Sequence, residues 1–259
     1  MKRITSRENP AVQQYTFLAA SRKARMEEHL FVTEGIKLTK EAAQTCPLQE
    51  LYVTETAIKK YDLHSFREPV LVSDGVAQKM SLTPAPQGIF GVFQQPQSSR
   101  IPLSVSQYYL VLSGLQDPGN VGTILRTAAA LGIKNVFLSP DCPDLYSPKV
   151  LRASMGGVFR LAVETRETEE VITFLKQAGV KVWAAALSPD AVPPQQADLK
   201  AGSAVVIGNE GRGLTSELVA LCKGIIQIPM VPGNESLNAA MAAGILLWEM
   251  AREAGASIL

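Results

Sequence analysis

Cysteine and histidine are scarce in this chain of 259 residues, which holds three of the first and two of the second. Cys46, Cys142 and Cys222 are odd in number and far apart, which excludes a disulfide framework and a CxxC metal or redox site. We expect them to be buried small residues. His29 and His64 both lie in the first quarter of the chain, so neither a histidine triad nor a histidine-rich metal site is predicted. The chemistry must then use Arg, Asn, Glu, Ser or main-chain groups.

Long apolar runs are also missing. No segment approaches the roughly 20 apolar residues that cross a bilayer, and the start, MKRITSRENP, lacks the apolar core of a secretory signal. We therefore expect a cytoplasmic protein with no membrane partner. Neither GK[ST] of a P-loop nor GxGxxG after a strand is present, and this argues against a dinucleotide-dependent oxidoreductase.

The composition, with 46% hydrophobic and 19% charged residues, allows a globular chain with one or two cores. The segment from Gln94 to Gln107 is polar and rich in Pro and Ser, which is typical of an interdomain linker. We predict one domain over residues 1–95, a linker over 96–106 and a second domain over 107–259. Residues 1–40 hold 8 basic against 4 acidic side chains, a weak indication of a polyanionic partner.

Short apolar runs alternate with helix-like segments along both domains, which predicts α/β layers and, in the second domain, a mostly parallel sheet. The predicted strands are Leu30–Val32, Leu51–Val53, Val70–Val72, Gly88–Phe93, Tyr108–Leu112, Asn135–Leu138, Leu161–Val163, Lys181–Ala186, Ala204–Ile207 and Ile225–Ile228. The predicted helices are Ala11–Ala20, Ile36–Thr45, Gly75–Met80, Val121–Leu131, Lys149–Gly157, Glu169–Ala178, Thr215–Cys222 and Leu237–Ala254. Ligands of such sheets bind beyond the carboxyl ends of the strands.

Three loops that leave predicted strands carry unusual polar residues. In SGLQDPGNVGTILRTAAALG, Asn120 occupies a position suited to a helix N-cap, and Arg126 interrupts an otherwise apolar helix, where a charge is costly unless it is paired or faces a site. In GNEGRGLTSEL, Glu210 lies among glycines that allow close approach of a ligand to the backbone. In PMVPGNESLNAAMAAGILLWEM, Ser236 can cap the final helix, but capping does not explain Asn238.

Taken in order, three motifs make residues 107–255 resemble the catalytic domain of the SpoU branch of the SPOUT methyltransferases. They are DPGNVGTILRTAAALG, VVIGNEGRGL and IPMVPGNESLNAAMAAGI, and PKVLRASMGGVFRLAV between the first and second also fits. More loosely, ITSRENPAVQQYTFLAASRKAR and FVTEGIKLTKEA are similar to the substrate-binding domain often fused to such enzymes, which has a fold related to ribosomal protein L30e.

This resemblance implies an S-adenosylmethionine-dependent RNA ribose 2'-O-methyltransferase, with ribosomal RNA expected before transfer RNA as substrate. It also implies a deep trefoil knot in an α/β-knot domain and a homodimer packed through that domain, which ordinary chain connectivity would not predict. The implied catalytic residues are Asn120, Arg126, Glu210, Ser236 and Asn238. The implied cofactor-binding residues are Gly208, Asn209, Gly211, Ile228, Pro229, Ser236 and Leu237.

Two functional questions stay open at this stage. Arg126 can act as a general base or electrostatically, and we favour the second because a guanidinium stays protonated in proteins, with Glu210 and Asn120 orienting it. A chain with this domain can also be an RNA-binding factor without turnover, which the complete set of polar residues argues against. In the first domain we predict RNA phosphate contacts by Arg7, Arg22, Lys23, Arg25 and Lys37.

Overall fold

A computed structural model of the chain describes residues 2–66, 68–96, 100–231, 233 and 236–253. It divides into two compact units: Met1–Gln97 with Asp144–Phe159, and Ser98–Pro143 with Arg160–Leu259. The first unit therefore includes a segment that the sequence analysis assigned to the domain at 107–259. The predicted helix end at Ala254, positions 97–99 of the predicted linker and positions 232, 234 and 235 of the third motif lie outside the described residues.

The first unit is built on a five-stranded mixed sheet with the strand order β1-β4-β3-β5-β2. Its strands are β1 (Arg3–Ile4), β2 (Leu30–Glu34), β3 (Leu48–Val53), β4 (Val70–Val72) and β5 (Ile89–Gln94). Strand β5 runs antiparallel to both of its neighbours, while β1, β4 and β3 are mutually parallel. The connection from β4 to β5 passes through the helix at Asp74–Met80 and places β5 on the far side of β3.

The helices of this unit are α1 (Pro10–Ala20), α2 (Arg22–Glu28), α3 (Ile36–Ala43), α4 (Glu55–Lys60) and α5 (Asp74–Met80). Side-chain caps begin four of them, from Asn9, Ser21, Thr54 and Ser73. Tyr15 of α1 is fully buried and donates its hydroxyl to the carbonyl of Thr33 at 3.0 Å, so the one polar atom of this aromatic side chain is satisfied inside the core.

The segment Asp144–Phe159, which contains α7 (Pro148–Ser154), completes the core of the first unit. The ring of Phe31 stacks on Tyr146 and Phe159 with centroid distances of 5.0 and 5.6 Å. Arg25 donates to the Asp144 carboxylate at 2.6 Å, and the two side chains are only 4% and 13% exposed. The same guanidinium donates to the carbonyls of Leu18 and Ala19 at the end of α1. A segment distant in sequence is thus tied in by aromatic contacts and a buried ion pair.

The second unit is built on a six-stranded parallel sheet with the order β11-β9-β10-β6-β7-β8. Its strands are β6 (Tyr108–Leu112), β7 (Asn135–Leu138), β8 (Ala162–Thr165), β9 (Lys181–Ala185), β10 (Ser203–Ile207) and β11 (Gly224–Ile226). Strands β7 and β10 are buried along their whole length, as expected of mainly apolar strands in a parallel sheet covered on both faces, although each begins with a buried polar residue, Asn135 and Ser203. The predicted α/β class and mostly parallel sheet are confirmed.

The helices of the second unit are α6 (Pro118–Ala130), α8 (Thr168–Gln177), α9 (Ser216–Leu221) and α10 (Ala239–Glu253), with a short 3-10 turn at Pro194–Gln196. Another 3-10 turn, Gly157–Arg160, lies where the chain passes from the first unit to the second. Helix α10 packs against α6. Helix α8 covers the sheet through Val171, Ile172 and Leu175, all fully buried. Within the described residues no helix is long and apolar enough to span a bilayer.

Strand order places the carboxyl ends of β6 and β10 side by side. Leu112 pairs with Ile207, and the amide of Ser113 donates to the carbonyl of Ile207 at 2.8 Å. From β6 the chain continues to β7 on one side of the sheet, whereas from β10 it continues to β11 on the other side. A crevice opens at such a switch of direction in parallel sheets, and ligands bind there. The fold thus brings together the loops that follow β6, β10 and β11.

Three short elements escaped the sequence analysis. Strand β1 has two residues, one of them exposed, and α4 has six residues, so neither shows a usable hydrophobic period. Helix α2 was not among the predicted helices, although three of its residues, Arg22, Lys23 and Arg25, were predicted to contact RNA. Its N-cap, Ser21, directly follows α1, and the two helices leave no loop between them.

Candidate active site

The glycine-rich loop after β10 is a tight turn held by its own asparagine. The main chains of Asn209 and Gly213 exchange two hydrogen bonds of 2.9 and 3.1 Å, and the Asn209 side-chain oxygen accepts from the amides of Gly211 and Arg212 at 2.9 and 3.0 Å. A Cβ at Gly208 would lie 2.5 Å from the carbonyl carbon of Gly213. Only glycine fits at position 208 unless the backbone moves.

Asn209 also joins this turn to the loop after β6. Its side-chain nitrogen donates to the carbonyl of Gly114 at 2.7 Å, and the amide of Gly114 donates to the hydroxyl of Ser139 at 2.8 Å. That hydroxyl in turn contacts the carboxylate of Asp141. The Gly114 peptide is therefore held on both sides, from the turn after β10 and from the end of β7, and the two loops form one rigid support.

Glu210 is the centre of a hydrogen-bonded cluster of polar groups. One carboxylate oxygen accepts from the amide of Asp117 and the side chain of Asn120, both at 3.1 Å, and the other accepts from the amide of Gln116 at 2.9 Å. Burial raises the pKa of Glu210, but the hydrogen bonds from Asn120, Gln116 and Asp117 outweigh it, so its pKa lies below the ordinary value. Glu210 is ionised at neutral pH and acts as an acceptor.

Asn238 extends this cluster to the loop before α10. Its side-chain nitrogen donates to the side-chain oxygen of Asn120 at 3.0 Å. Its side-chain oxygen accepts from the amides of Ala240 and Met241 at 2.9 and 3.3 Å, which caps the first turn of α10. Glu210, Asn120 and Asn238 thus form one chain of hydrogen bonds across three loops, and we call these three residues the polar cluster.

A cavity of about 390 Å³ adjoins the polar cluster at the carboxyl edge of the sheet. It is lined by residues from the ends of β9, β10 and β11 and from the start of α10, namely Ala185, Ala186, Leu187, Ile207, Gly208, Asn209, Glu210, Gly211, Arg212, Gly213, Leu214, Ile226, Gln227, Ile228, Met230, Ser236, Leu237, Ala239, Ala242 and Leu246. Its size and mixture of apolar walls with main-chain polar groups suit a small cofactor.

Most residues predicted to bind the cofactor line this cavity. They are Gly208, Asn209, Gly211, Ile228, Ser236 and Leu237, whereas Pro229 is exposed and is not among the lining residues. Whether they contact a cofactor stays a prediction. Ala185–Leu187 and Arg212 also line the cavity and were not predicted to do so, although the end of β9 is another carboxyl end at the same edge.

Two predicted helix caps are wrong. The N-cap of α6 is Asp117, whose side chain accepts from the amide of Gly119, while Asn120 is the third residue of the helix. Pro118 at the first helical position signals this, because proline favours that position. Helix α10 is capped by Asn238 rather than Ser236. Both asparagines consequently present side-chain amides to the polar cluster.

Arg126 lies apart from the polar cluster in this chain. It follows Asn120 by six positions, which corresponds to about 9 Å along the axis of α6 and about 120° around it. Its side chain is exposed, as is Thr123 one turn earlier. Within the described ranges no carboxylate pairs with Arg126, so the expected orientation by Glu210 and Asn120 is not found. Because Arg126 is exposed, it is not a charge in an apolar environment, as its sequence neighbours had suggested.

Among the basic residues predicted to contact RNA, Arg7, Arg22, Lys23 and Lys37 are exposed. Lys23 forms an ion pair with Glu27 at 3.7 Å, in which the side chains are 82% and 64% exposed, and Arg7 donates to the carbonyl of Gly75. Arg25 is the exception: its burial against Asp144 contradicts the prediction, because a guanidinium enclosed in the core cannot reach a phosphate.

The three cysteines are free, as expected, with Cys46 and Cys142 buried and Cys222 half-buried. Burial raises the pKa of each thiol, for Cys222 to about 11. All three are therefore protonated at neutral pH and are poor nucleophiles.

A parallel sheet whose switch of direction carries a cavity, a glycine turn and a cluster of amide and carboxylate groups defines a cofactor-dependent enzyme of the α/β class. The family model described as the SpoU rRNA methylase family matches residues 107–248, and the model of an MRM3-like substrate binding domain matches residues 2–91. The chain belongs to the SpoU rRNA methylase family. It is an RNA methyltransferase, and S-adenosylmethionine is its cofactor.

Similar proteins cover nearly the whole chain. A 23S rRNA (guanosine(2553)-2'-O)-methyltransferase of Bacillus subtilis is 31% identical over 96% of this chain and 99% of its own length. An uncharacterized tRNA/rRNA methyltransferase of Synechocystis is 35% identical over 96% of this chain and 93% of its own length. The solved structure of an rRNA methyltransferase from Sinorhizobium meliloti with bound AdoMet has a TM-score of 0.86 and 32% identity, and 97% of each chain is covered.

The residues at the cavity fit this cofactor. Gly208 brings the backbone of the turn close to Gly213, so main-chain amides and carbonyls border the cavity, and Leu237 and Leu246 supply apolar walls for a base or a methylene chain. Among the described lining residues Glu210 alone is a carboxylate, and its two oxygens already accept hydrogen bonds from the loop after β6 and from Asn120 of α6.

Proposed function

We propose that this protein transfers a methyl group to a ribose 2'-hydroxyl of ribosomal RNA. The observation that carries the proposal is the polar cluster, in which three loops of a SpoU-family chain converge beside a cavity of cofactor size. Ribosomal RNA is favoured because the relatives from Bacillus and Sinorhizobium are named as rRNA methyltransferases. Transfer RNA, the alternative substrate expected from the sequence, is the second substrate in the methyl-transfer test below.

The reaction makes an O–CH₃ bond, breaks an S–CH₃ bond and releases the hydroxyl proton to solvent. When bound, S-adenosylmethionine supplies an electrophilic methyl group attached to a sulfonium. The protein must hold the ribose oxygen in line with that group, and alignment of this kind contributes roughly 7–11 kcal/mol in well-oriented reactions. The side chain amides of Asn120 and Asn238 are fixed by Glu210 and by the first turn of α10, so they are suited to orient a ribose.

Glu210 serves this reaction as a positioning residue rather than as a base. Its lowered pKa makes it a weak proton acceptor, and each of its oxygens already accepts hydrogen bonds.

Arg126 remains the proposed electrostatic group, with its charge directed at the developing alkoxide or at a neighbouring phosphate. Arg126→Lys keeps the charge and loses the planar fork. Methylation by this variant at the wild-type rate would exclude a specific role for the guanidinium. Ser236, exposed at the cavity, remains a proposed contact of the substrate or the cofactor.

The direct test is methyl transfer from labelled S-adenosylmethionine to ribosomal and transfer RNA isolated from a strain that lacks the gene. We expect label in ribosomal RNA and a single ribose resistant to alkaline cleavage on its 3' side. Label in transfer RNA alone would contradict the substrate choice. Cofactor binding without transfer to either RNA would favour the RNA-binding factor without turnover.

The exposed face of α10 supports the homodimer implied by the resemblance. Met241, Ile245 and Trp248 recur at spacings of four and three residues and are 63%, 38% and 58% exposed. A stripe of this kind on a soluble protein is typical of an interface. We propose that a second copy of the chain covers it, and that the second unit contains the trefoil knot of its family.

Light scattering tests the dimer. Trp248→Glu should convert the dimer to a monomer, whereas the control Phe174→Glu on α8 should leave it a dimer. A wild-type protein that is a monomer at micromolar concentration would refute the proposed dimer.

The first unit is proposed to hold RNA through the exposed cations Arg7, Arg22, Lys23 and Lys37. Contacts to phosphates make affinity fall with salt, with a slope of about −0.7 to −0.9 per phosphate on logarithmic axes. RNA affinity that does not change between low and high salt would refute this assignment. We also propose a cytoplasmic location, which accords with a ribosomal substrate.

A further inference from the structure

Arg212 is an exposed cation in the wall of the cavity, in the middle of the glycine turn after β10. Among the lining residues that the structure describes, it alone carries a positive charge. Neither the chemistry of methyl transfer nor the polar cluster uses it. A charged side chain at the mouth of a site that must admit RNA is a candidate contact for the substrate.

The backbone of Arg212 is fixed while its side chain is not. The amide of Arg212 donates to the side-chain oxygen of Asn209 at 3.0 Å, and the turn closes through the Asn209 and Gly213 main chains. Within the part of the chain that the structure describes, no carboxylate pairs with the guanidinium. The turn therefore presents the head group of Arg212 from a rigid base toward solvent at the cavity.

The nearest acidic residue in sequence cannot neutralise this charge. Glu210 directs both of its oxygens to Gln116, Asp117 and Asn120. The other lining residues within the described ranges are apolar or neutral. An unpaired guanidinium in this position favours an anionic oxygen, and arginine binds phosphate through two parallel hydrogen bonds.

We propose that Arg212 binds a phosphate of the RNA next to the ribose that is methylated, and thereby holds the target nucleotide at the mouth of the cavity. This inference rests on the proposed function, because it requires RNA at this edge of the sheet. Arg212 is a substrate-contact residue that sets RNA affinity, whereas Asn120 and Asn238 orient the ribose itself. The carboxylate of S-adenosylmethionine is the other anion within the site, and the test separates the two.

The experiment compares Arg212→Ala, Arg212→Lys and the control Lys200→Ala. Lys200 is an exposed cation just before the amino end of β10, so its removal changes the net charge equally at the opposite end of the strand. Binding of deproteinised large-subunit ribosomal RNA is measured over a range of salt concentrations, cofactor binding is measured by calorimetry, and methyl transfer is measured in parallel.

For Arg212→Ala we expect RNA affinity to fall about fivefold to tenfold, and the salt slope to decrease by about 0.7–0.9, which corresponds to one lost phosphate contact. Affinity for S-adenosylmethionine and the melting temperature should match the wild type, because the Asn209 contacts are made by the backbone of residue 212. Arg212→Lys should keep the salt slope and lose part of the affinity. Lys200→Ala should resemble the wild type.

Two results would overturn the proposal: a loss of cofactor affinity with unchanged RNA binding, which would assign Arg212 to the cofactor carboxylate, or RNA binding by Arg212→Ala equal to that of Lys200→Ala. RNA binding is measured without catalysis, so a wild-type protein that binds RNA but transfers no methyl group would refute the proposed function and leave the test of Arg212 intact.

Discussion

The substitution Glu210→Gln tests the polar cluster most directly, because it changes one oxygen to a nitrogen and leaves the volume of the side chain almost unchanged. The carboxylate accepts three hydrogen bonds, two on one oxygen and one on the other. A glutamine has one acceptor oxygen. In its better orientation it keeps the amide of Asp117 and the side chain of Asn120 and turns its own NH₂ group toward the amide of Gln116.

The expected cost is one lost hydrogen bond together with the loss of charge in the other two. Hydrogen bonds to charged groups contribute more than neutral ones, and water can reach this exposed side chain, so we estimate about 1–2 kcal/mol. If the whole amount is lost from the alignment of Asn120 in the transition state, kcat falls about 5- to 30-fold. The same amount taken from the free energy of unfolding lowers Tm by about 2–8 °C.

Steady-state methylation with saturating cofactor, single-turnover rates and a thermal melt separate these effects. Glu169→Gln, an exposed glutamate in the first turn of α8, is the matched control and should leave kcat and Tm unchanged. If Glu210→Gln lowers Tm and retains wild-type kcat and KM, the carboxylate supports the loops without orienting the substrate. That result would refute the role given to the polar cluster.

Three further predictions follow from the same contacts. Asp144→Ala leaves the buried guanidinium of Arg25 unpaired and should destabilise the protein by about 3–5 kcal/mol in urea unfolding. Glu27→Ala removes the exposed partner of Lys23 and should cost less than about 1 kcal/mol. Equal effects of the two substitutions would contradict the burial of the Arg25–Asp144 pair. Gly208→Ala should weaken cofactor binding by more than about tenfold. The control Gly75→Ala in α5, whose new Cβ would lie 3.5 Å from the side chain of Arg7, should bind the cofactor normally in calorimetry. Because folding lowers the pKa of Glu210, the contribution of this carboxylate to stability is complete above the unfolded pKa of about 4.3 and is lost as pH falls through the folded pKa. The difference in unfolding free energy between wild type and Glu210→Gln should therefore shrink in acid. A difference that stays constant with pH would contradict the lowered pKa.

The buried strands of the second unit were predictable from sequence because each is a continuous apolar run between loops. Strands β6 and β7 have the predicted bounds, and the pairing of Leu112 with Ile207 makes neighbours of two loops that sequence patterns alone had singled out. The contact between Glu210 and Asn120, 90 residues apart, follows from that adjacency. Local chemistry and sheet topology together were enough for this part of the site.

The errors come from contacts that no local pattern contains. Arg25 lies in the basic stretch RKAR, which is typical of a solvated helix face, yet its partner Asp144 is 119 residues away. Arg126 was judged by its apolar sequence neighbours, but the helix turns it to the exposed side of α6. Which face of a helix is covered depends on the packing of the whole unit, and a single sequence does not specify it.

The first unit is built from two segments that are distant in sequence, and this affects its synthesis on the ribosome. Residues up to 97 emerge before the segment Asp144–Phe159. Until that segment is synthesised, the ring of Phe31 lacks its contact with Tyr146 and the guanidinium of Arg25 lacks its ion pair with Asp144. At about 5–20 residues per second the delay is roughly 3–12 s. During that time the nascent chain carries an uncovered aromatic surface, and a gene fragment that ends at the linker would leave it uncovered permanently. The segment Met1–Gln97 is therefore not a module that can be cut out at its apparent boundary.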